Sequence, residues 1–216
     1  MSSLLWPVAT GAIILAALLV GRTMVRVSHT RDIVLEEVRR RLRGGVIERL
    51  PRRGPQARGR LGDIEVTVDL YRDPQRPDLS PLWRVMAVGP VRVANPVEVH
   101  IGGWRGWIDP WMQMATTLPV PDGAGPHLVL HGEQPLALDH PVLAALRRQG
   151  HMLGAGGLHV QSDFMRAEIR FDRRTEGNRG LFGYLQAMSE IAGRIPGHAS
   201  IRALRVEHMH QEEDRA

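Results

Sequence analysis

The sequence predicts an α+β fold: one N-terminal transmembrane helix followed by a single soluble domain of mixed strands and helices. Three observations lead there. Leu4 to Val20 (LLWPVATGAIILAALLV) carries no charge. Ile64, Val66, Val68 and Leu70 alternate with Glu65, Thr67 and Asp69, the pattern of a half-buried strand. Leu181, Leu185, Met188, Ile191 and Ala192 recur at helical spacing, as on one face of an amphipathic helix. Behind the apolar segment, the 216-residue chain is long enough for one domain with its own core.

At about 1.5 Å per residue, Leu4 to Val20 spans roughly 26 Å, slightly short of a hydrocarbon core of about 30 Å. The helix runs on through Thr23, Met24 and Val25 if Arg22 snorkels to the headgroups. Pro7 falls in the first turn, where a missing N–H costs little. Trp6 stands where an interfacial aromatic holds the outer end. A cleaved signal peptide is the competing reading. It needs a basic region before the apolar run, and Met1-Ser2-Ser3 has none. Residues 1–27 therefore read as an uncleaved anchor. Arg22, Arg26, Arg31, Arg39, Arg40, Arg41 and Arg43 all follow it. The positive-inside rule then gives a single-pass protein of a bacterial inner membrane, N-terminus outside and domain cytoplasmic. Ala12 with Ala16, and Ala17 with Gly21, are small residues four apart. That spacing admits a partner helix, and also arises by chance in an alanine-rich segment.

Cysteine is absent, which removes disulfides and thiolate chemistry and fits a reducing compartment. All 28 basic residues are arginine, which removes Schiff-base and phosphate-loop lysines. A GC-rich genome accounts for that bias. The net charge is +5, with the basic excess concentrated between Arg31 and Arg60. Arg39, Arg40, Arg41 and Arg43 could each favour an anionic leaflet by about 1 kcal/mol if well placed. The stretch lacks interleaved aromatics and any binding motif, so no nucleic-acid partner is expected.

Along the chain, Arg31 to Arg43 reads as an amphipathic helix with Ile33, Val34, Val38 and Leu42 as its stripe, ended by Gly44-Gly45. The stripe could face lipid, a twin helix or its own domain. Val46 to Leu50 is a short strand, and Pro51 to Arg60 (PRRGPQARGR) a connector. Residues 28–60 thus form an amphipathic basic neck and linker, and the soluble domain covers 61–207. Leu82 to Val93, interrupted at Gly89-Pro90, and Val97 to Ile101 read as strands. Asp109 to Thr117 reads as a helix capped by Asp109, with Pro110 at its first position. His127 to His131 is a strand, and Asp139 caps a helix running to Gln149. Gly154 to Gly157 is a turn, Leu158–Gln161 with Met165–Phe171 a hairpin, and Leu181 to Ile195 a helix. Ala199 to Glu207 is a last strand or helix before a polar tail, 208–216.

Leu128-Val129-Leu130 with Gly132 and Pro135, Leu143 to Arg147, Gly157-Leu158 with Val160, and Leu185 give the second half a recognisable pattern. In these residues the chain resembles uncharacterised single-pass membrane proteins of GC-rich bacteria, over about residues 127 to 195 plus the anchor. The resemblance implies no activity and no catalytic residue.

Trp104, Trp107 and Trp111 fall together in GGWRGWIDPW, followed by Met112. Tryptophan favours bilayer interfaces and protein-interface hot spots, so this segment is a candidate contact for lipid or a partner. The bland alternative is that the rings cover a sheet edge. His127 and His131, on one strand face, stand about 13 Å apart and cannot share an ion. No HExxH, spaced Cys/His set or GxSxG is present, and Ser162-Asp163 near His159 reads as a turn. No metal, cofactor or catalytic residue is expected. The expected function is a membrane-anchored, non-enzymatic accessory or scaffolding subunit, contacting the bilayer and a membrane-protein partner or a second copy. The alternatives are a ligand-sensing domain or an enzyme with an unrecognised site.

Overall fold

The computed structural model describes residues 5–51, 54–72, 80–91, 93, 95–104, 116–123 and 128–193, with side chains from Ala12 onward. Helix α1 (Leu5–Arg41) is one unbroken helix that joins the apolar segment to the amphipathic one. The strands are β1 (Arg43–Leu50), β2 (Gly54–Leu61), β3 (Ile64–Tyr71), β4 (Leu82–Val88), β5 (Val97–Ile101), β6 (Thr116–Leu118), β7 (Leu128–Gly132), β8 (Gly156–Gln161) and β9 (Phe164–Arg170). Helix α2 (Pro141–Gln149) precedes β8, and α3 (Arg179–Gly193) follows a 3-10 turn over Thr175–Asn178. The class is α+β, as the sequence predicts.

Among the described residues the strands form one sheet in the order β1-β2-β3-β4-β9-β8-β5-β7-β6. Every neighbouring pair is antiparallel. The late hairpin β8–β9 fills the gap between β4 and β5. Its two-residue turn, Ser162-Asp163, puts Asp163 at φ 60°, a conformation aspartate tolerates. Alternation divides the sheet into two faces. On one, the register aligns Ala57, Val68, Val85, Ala167, Leu158, Val99, Leu130 and Leu118 across eight strands, all buried. All three helices share this core: Val34, Leu35, Val38 and Leu42 from α1, Val142, Leu143 and Leu146 from α2, Leu181, Tyr184 and Met188 from α3.

Several expectations need correction. The expected connector, Pro51 to Arg60, contains β2, paired with β3 from Gln56 onward and with β1 from Gly54 to Arg58 and again at Arg60. Its Pro/Gly/Arg composition disfavours a strand, but tertiary pairing overrides propensity. Ala57 is buried beside Val68, and Arg58 pairs with Glu65. Pro55 faces β1 alone, outside the register with β3, so its missing N–H breaks no bond there. The sheet therefore begins at Arg43, and the core reaches back into α1. Within α1, Leu35 is buried at 1 % exposure, whereas Ile33 is exposed at 41 %. The stripe faces the protein's own domain. The cap of α2 is His140, whose Nδ1 accepts from the Val142 N–H at 3.4 Å. Asp139 lies one residue too early, because Pro141 begins the helix. Gly156 and Gly157 belong to β8, and Thr116 and Thr117 to β6. The rest of the expected helix from Asp109, the segment 199–207 and the tail 208–216 lie outside the described residues, as does His127.

Candidate functional site

Where α1 passes the sheet, an open cleft of about 600 Å³ lies between them. That falls within the range of small-molecule sites, about 300–1,000 Å³. One wall is α1, with Leu19, Val20, Thr23, Met24, Val27 and Ser28. The other is the end of the sheet, with Leu70, Arg72, Ser80, Pro81, Phe171 and Arg173. The register explains this second wall: Tyr71 pairs with Leu82 and Leu82 with Arg170, so one end of β3, β4 and β9 lies level. A second cleft of about 580 Å³ shares Ser80, Phe171 and Arg173, and adds Arg170, Asp172 and Arg174.

The loop carrying Arg173 is fixed from two sides. Thr30 Oγ1 on α1 donates to the Arg173 carbonyl at 2.9 Å. Buried Asn178 accepts from Trp83 Nε1 at 2.6 Å and from the Asp172 N–H at 3.0 Å. Its own amide donates to the carbonyls of Asp172 and Arg174 at 2.8 and 2.7 Å. Phe171 packs its ring 5.7 Å from that of Trp83.

The opposite face of the sheet is polar. One register row runs Gln56, Asp69, Arg84, Glu168, Gly157, His100. The adjacent row runs Arg166, His159, Glu98, His131. Asp69 holds Arg84, whose guanidinium lies over the Tyr71 ring at 4.4 Å, and Arg166 holds Glu168. Glu98 is buried between two imidazoles, with His100 Nε2 at 2.5 Å and His159 Nδ1 at 3.8 Å. The His131 ring stacks at a tilt 5.0 Å from His100. Burial lowers the His131 pKa, as does its His100 neighbour, while Glu98 opposes the shift. The sequence reading missed this cluster, because strand pairing and not sequence proximity assembles it. The period-2 placement of Glu98 and His100 was the one available signal. The space among Glu98, Trp104, His159, Arg166 and Glu168 is about 10 Å³, the size of about one water. That volume suits an internal polar network and leaves no room for a substrate.

The sequence-predicted residues fall in three places. Trp104 is half-buried, its indole nitrogen 2.9 Å from where a Cβ on Gly157 would stand, so a larger residue there would displace the ring. Its Nε1 is buried with no hydrogen-bond partner among the described residues. Trp107, Trp111 and Met112 lie outside the described residues. Arg39 and Arg40 pair with Glu36, holding that carboxyl at a pKa of about 2, and Arg41 pairs with Glu37. Arg41 also lies over the Phe182 ring at 4.1 Å, and Arg43 opens β1. At about 1.5 Å per residue, Arg41 is about 28 Å along α1 from Arg22. Ala12, Ala16, Ala17 and Gly21 are exposed on α1, and a Cβ on Gly21 would meet nothing within 4 Å.

No family of proteins, curated protein or solved structure matches this chain. Among the described residues no three His, Asp or Glu side chains are grouped to hold a metal ion. The N-terminal part of α1 is long and apolar enough to cross a membrane, a property it shares with signal sequences. Ile13, Leu18 and Val25 are exposed at 70, 65 and 69 %.

Proposed function

We propose that this chain is a single-pass protein of a bacterial inner membrane, with its N-terminus outside and its domain in the cytoplasm. In this reading it serves as a non-enzymatic accessory or scaffolding subunit of a larger membrane complex. The observation that carries the reading is the continuity of α1. One helix presents Ile13, Leu18 and Val25 to its surroundings, then buries Val34, Leu35 and Val38 in the domain core. A flexible tether would let a domain diffuse; a helix shared by span and core fixes its orientation to the bilayer. That rigidity suits a part that must present one face to a neighbouring membrane protein. The open helix surface at Ala12, Ala16, Ala17 and Gly21 supports close approach of a second helix. A second reading, a membrane-tethered ligand-sensing domain, is favoured by the cleft between α1 and the sheet.

The test is purification of tagged full-length protein in a gentle detergent, followed by a native gel and mass spectrometry. Membrane subunits at fixed stoichiometry support the accessory reading, and Ala16→Leu with Gly21→Leu should release them. A lone monomer would count against it.

A further inference from the structure

We infer that the cleft between α1 and the sheet is a binding site for one anionic phospholipid, an inference that rests on the membrane-spanning reading above. Its wall changes character along its length. Leu19, Val20 and Met24 on α1 face Leu70, Pro81 and Phe171, enough apolar surface to hold the upper part of an acyl chain. Arg72 and Arg173 supply positive charge, and neither forms an ion pair with a carboxylate among the described residues. Arginine suits a phosphate because its planar fork donates two parallel hydrogen bonds. Thr23, Ser28 and Ser80 add hydroxyls in the same lining.

The depth agrees with the chemistry. The cleft lies along residues 19 to 28 of α1, and Arg22 is the first charge after the apolar run. In a spanning helix that stretch crosses from hydrocarbon to headgroup level, where a lipid changes from chain to phosphate. The volume, about 600 Å³, accommodates a headgroup with the start of a chain. Arg173 also borders the second cleft, with Arg170 and Arg174, so the surroundings of the phosphate stay basic despite Asp172. The Asp172 carboxylate is engaged by the Arg174 N–H at 2.7 Å. Thr30 and Asn178 hold the arginine loop in place before any lipid arrives. A zwitterionic lipid brings its own cation and gains less from two arginines, so the site should discriminate by headgroup charge.

The experiment is native mass spectrometry of full-length protein in mild detergent with added phosphatidylglycerol or phosphatidylcholine. Wild type should retain phosphatidylglycerol about thirtyfold more than phosphatidylcholine, the effect of about 1 kcal/mol from each of the two arginines. The double variant Arg72→Gln, Arg173→Gln should lose that preference. Thr23→Trp, which fills the cleft from α1 without touching the domain core, should lose the bound lipid altogether. Equal retention of both lipids, or retention unchanged by these variants, overturns the site. Displacement of phosphatidylglycerol by inorganic phosphate alone overturns the lipid as occupant. Alkaline extraction of native membranes separates the two inferences. Protein in the supernatant overturns the spanning reading, and protein in the pellet with no headgroup preference overturns the lipid site alone.

Discussion

Asn178 makes four hydrogen bonds from a buried position, and each partner loses its mate if the amide is removed. A buried donor left unsatisfied costs about 1–3 kcal/mol. Asn178→Ala should therefore destabilise the domain by about 2–4 kcal/mol in urea unfolding. An effect below about 1 kcal/mol would show that the Trp83 and Asp172 N–H groups find other acceptors. Two histidines make stability depend on pH. Burial lowers the pKa of His131 and of His140 below the ordinary histidine value of about 6.5. His140 Nδ1 also accepts a hydrogen bond from Val142, which requires that nitrogen unprotonated. The unfolded chain then binds more protons than the folded one once the pH falls past 6.5. This contribution to stability is full above 6.5 and is lost as the pH drops through the folded values. Urea midpoints measured from about pH 8 to pH 5 should fall, and His131→Gln should flatten the decline. A profile unchanged by that substitution would remove His131 as a cause. At this scale the sequence was partly informative. It marked Ser162-Asp163 as a turn, but gave no sign that Asn178 closes a loop over Trp83, a contact between residues far apart in sequence.

Helix α1 does two jobs along its length, and its residues can be separated by substitution. Leu35 is 1 % exposed, and a buried leucine cut to alanine costs about 2–5 kcal/mol. Ile33, on the same turn, is 41 % exposed, and its replacement by alanine should change stability by about 0.5 kcal/mol or less. Equal losses at both positions in thermal unfolding would mean that the helix does not dock on this face. Apolar periodicity was enough to find α1, β3, β5, α3 and the β8–β9 hairpin. It failed at β2, where Pro55, Gly54 and Gly59 look like loop residues and backbone pairing with β1 and β3 decides the conformation. It also failed at Ile33 and Leu35. Both fit an apolar stripe within the tolerance of helical spacing, and only the domain's position chooses between them.

The whole molecule brings together residues that the linear sequence keeps apart. Arg72 follows β3 and Arg173 follows β9, and they share a cleft because β9 pairs with β4. Read singly, each was one more arginine in an arginine-rich chain. Conversely, Arg39, Arg40 and Arg41 stood out as a run, yet they pair with Glu36 and Glu37 about 28 Å along α1 from Arg22. In the proposed reading the bilayer surrounds the start of α1 and the domain lies on the cytoplasmic side. Cysteine is absent from the sequence, so a single introduced thiol reports its own position without interference. The decisive measurement is maleimide labelling of Ile14→Cys and Val129→Cys in native membrane vesicles, before and after permeabilisation. The account predicts that Ile14→Cys stays protected throughout and that Val129→Cys reacts only where the reagent reaches the cytoplasm. Loss of residue 14 from the mature chain, or labelling of Val129→Cys from outside, would contradict it.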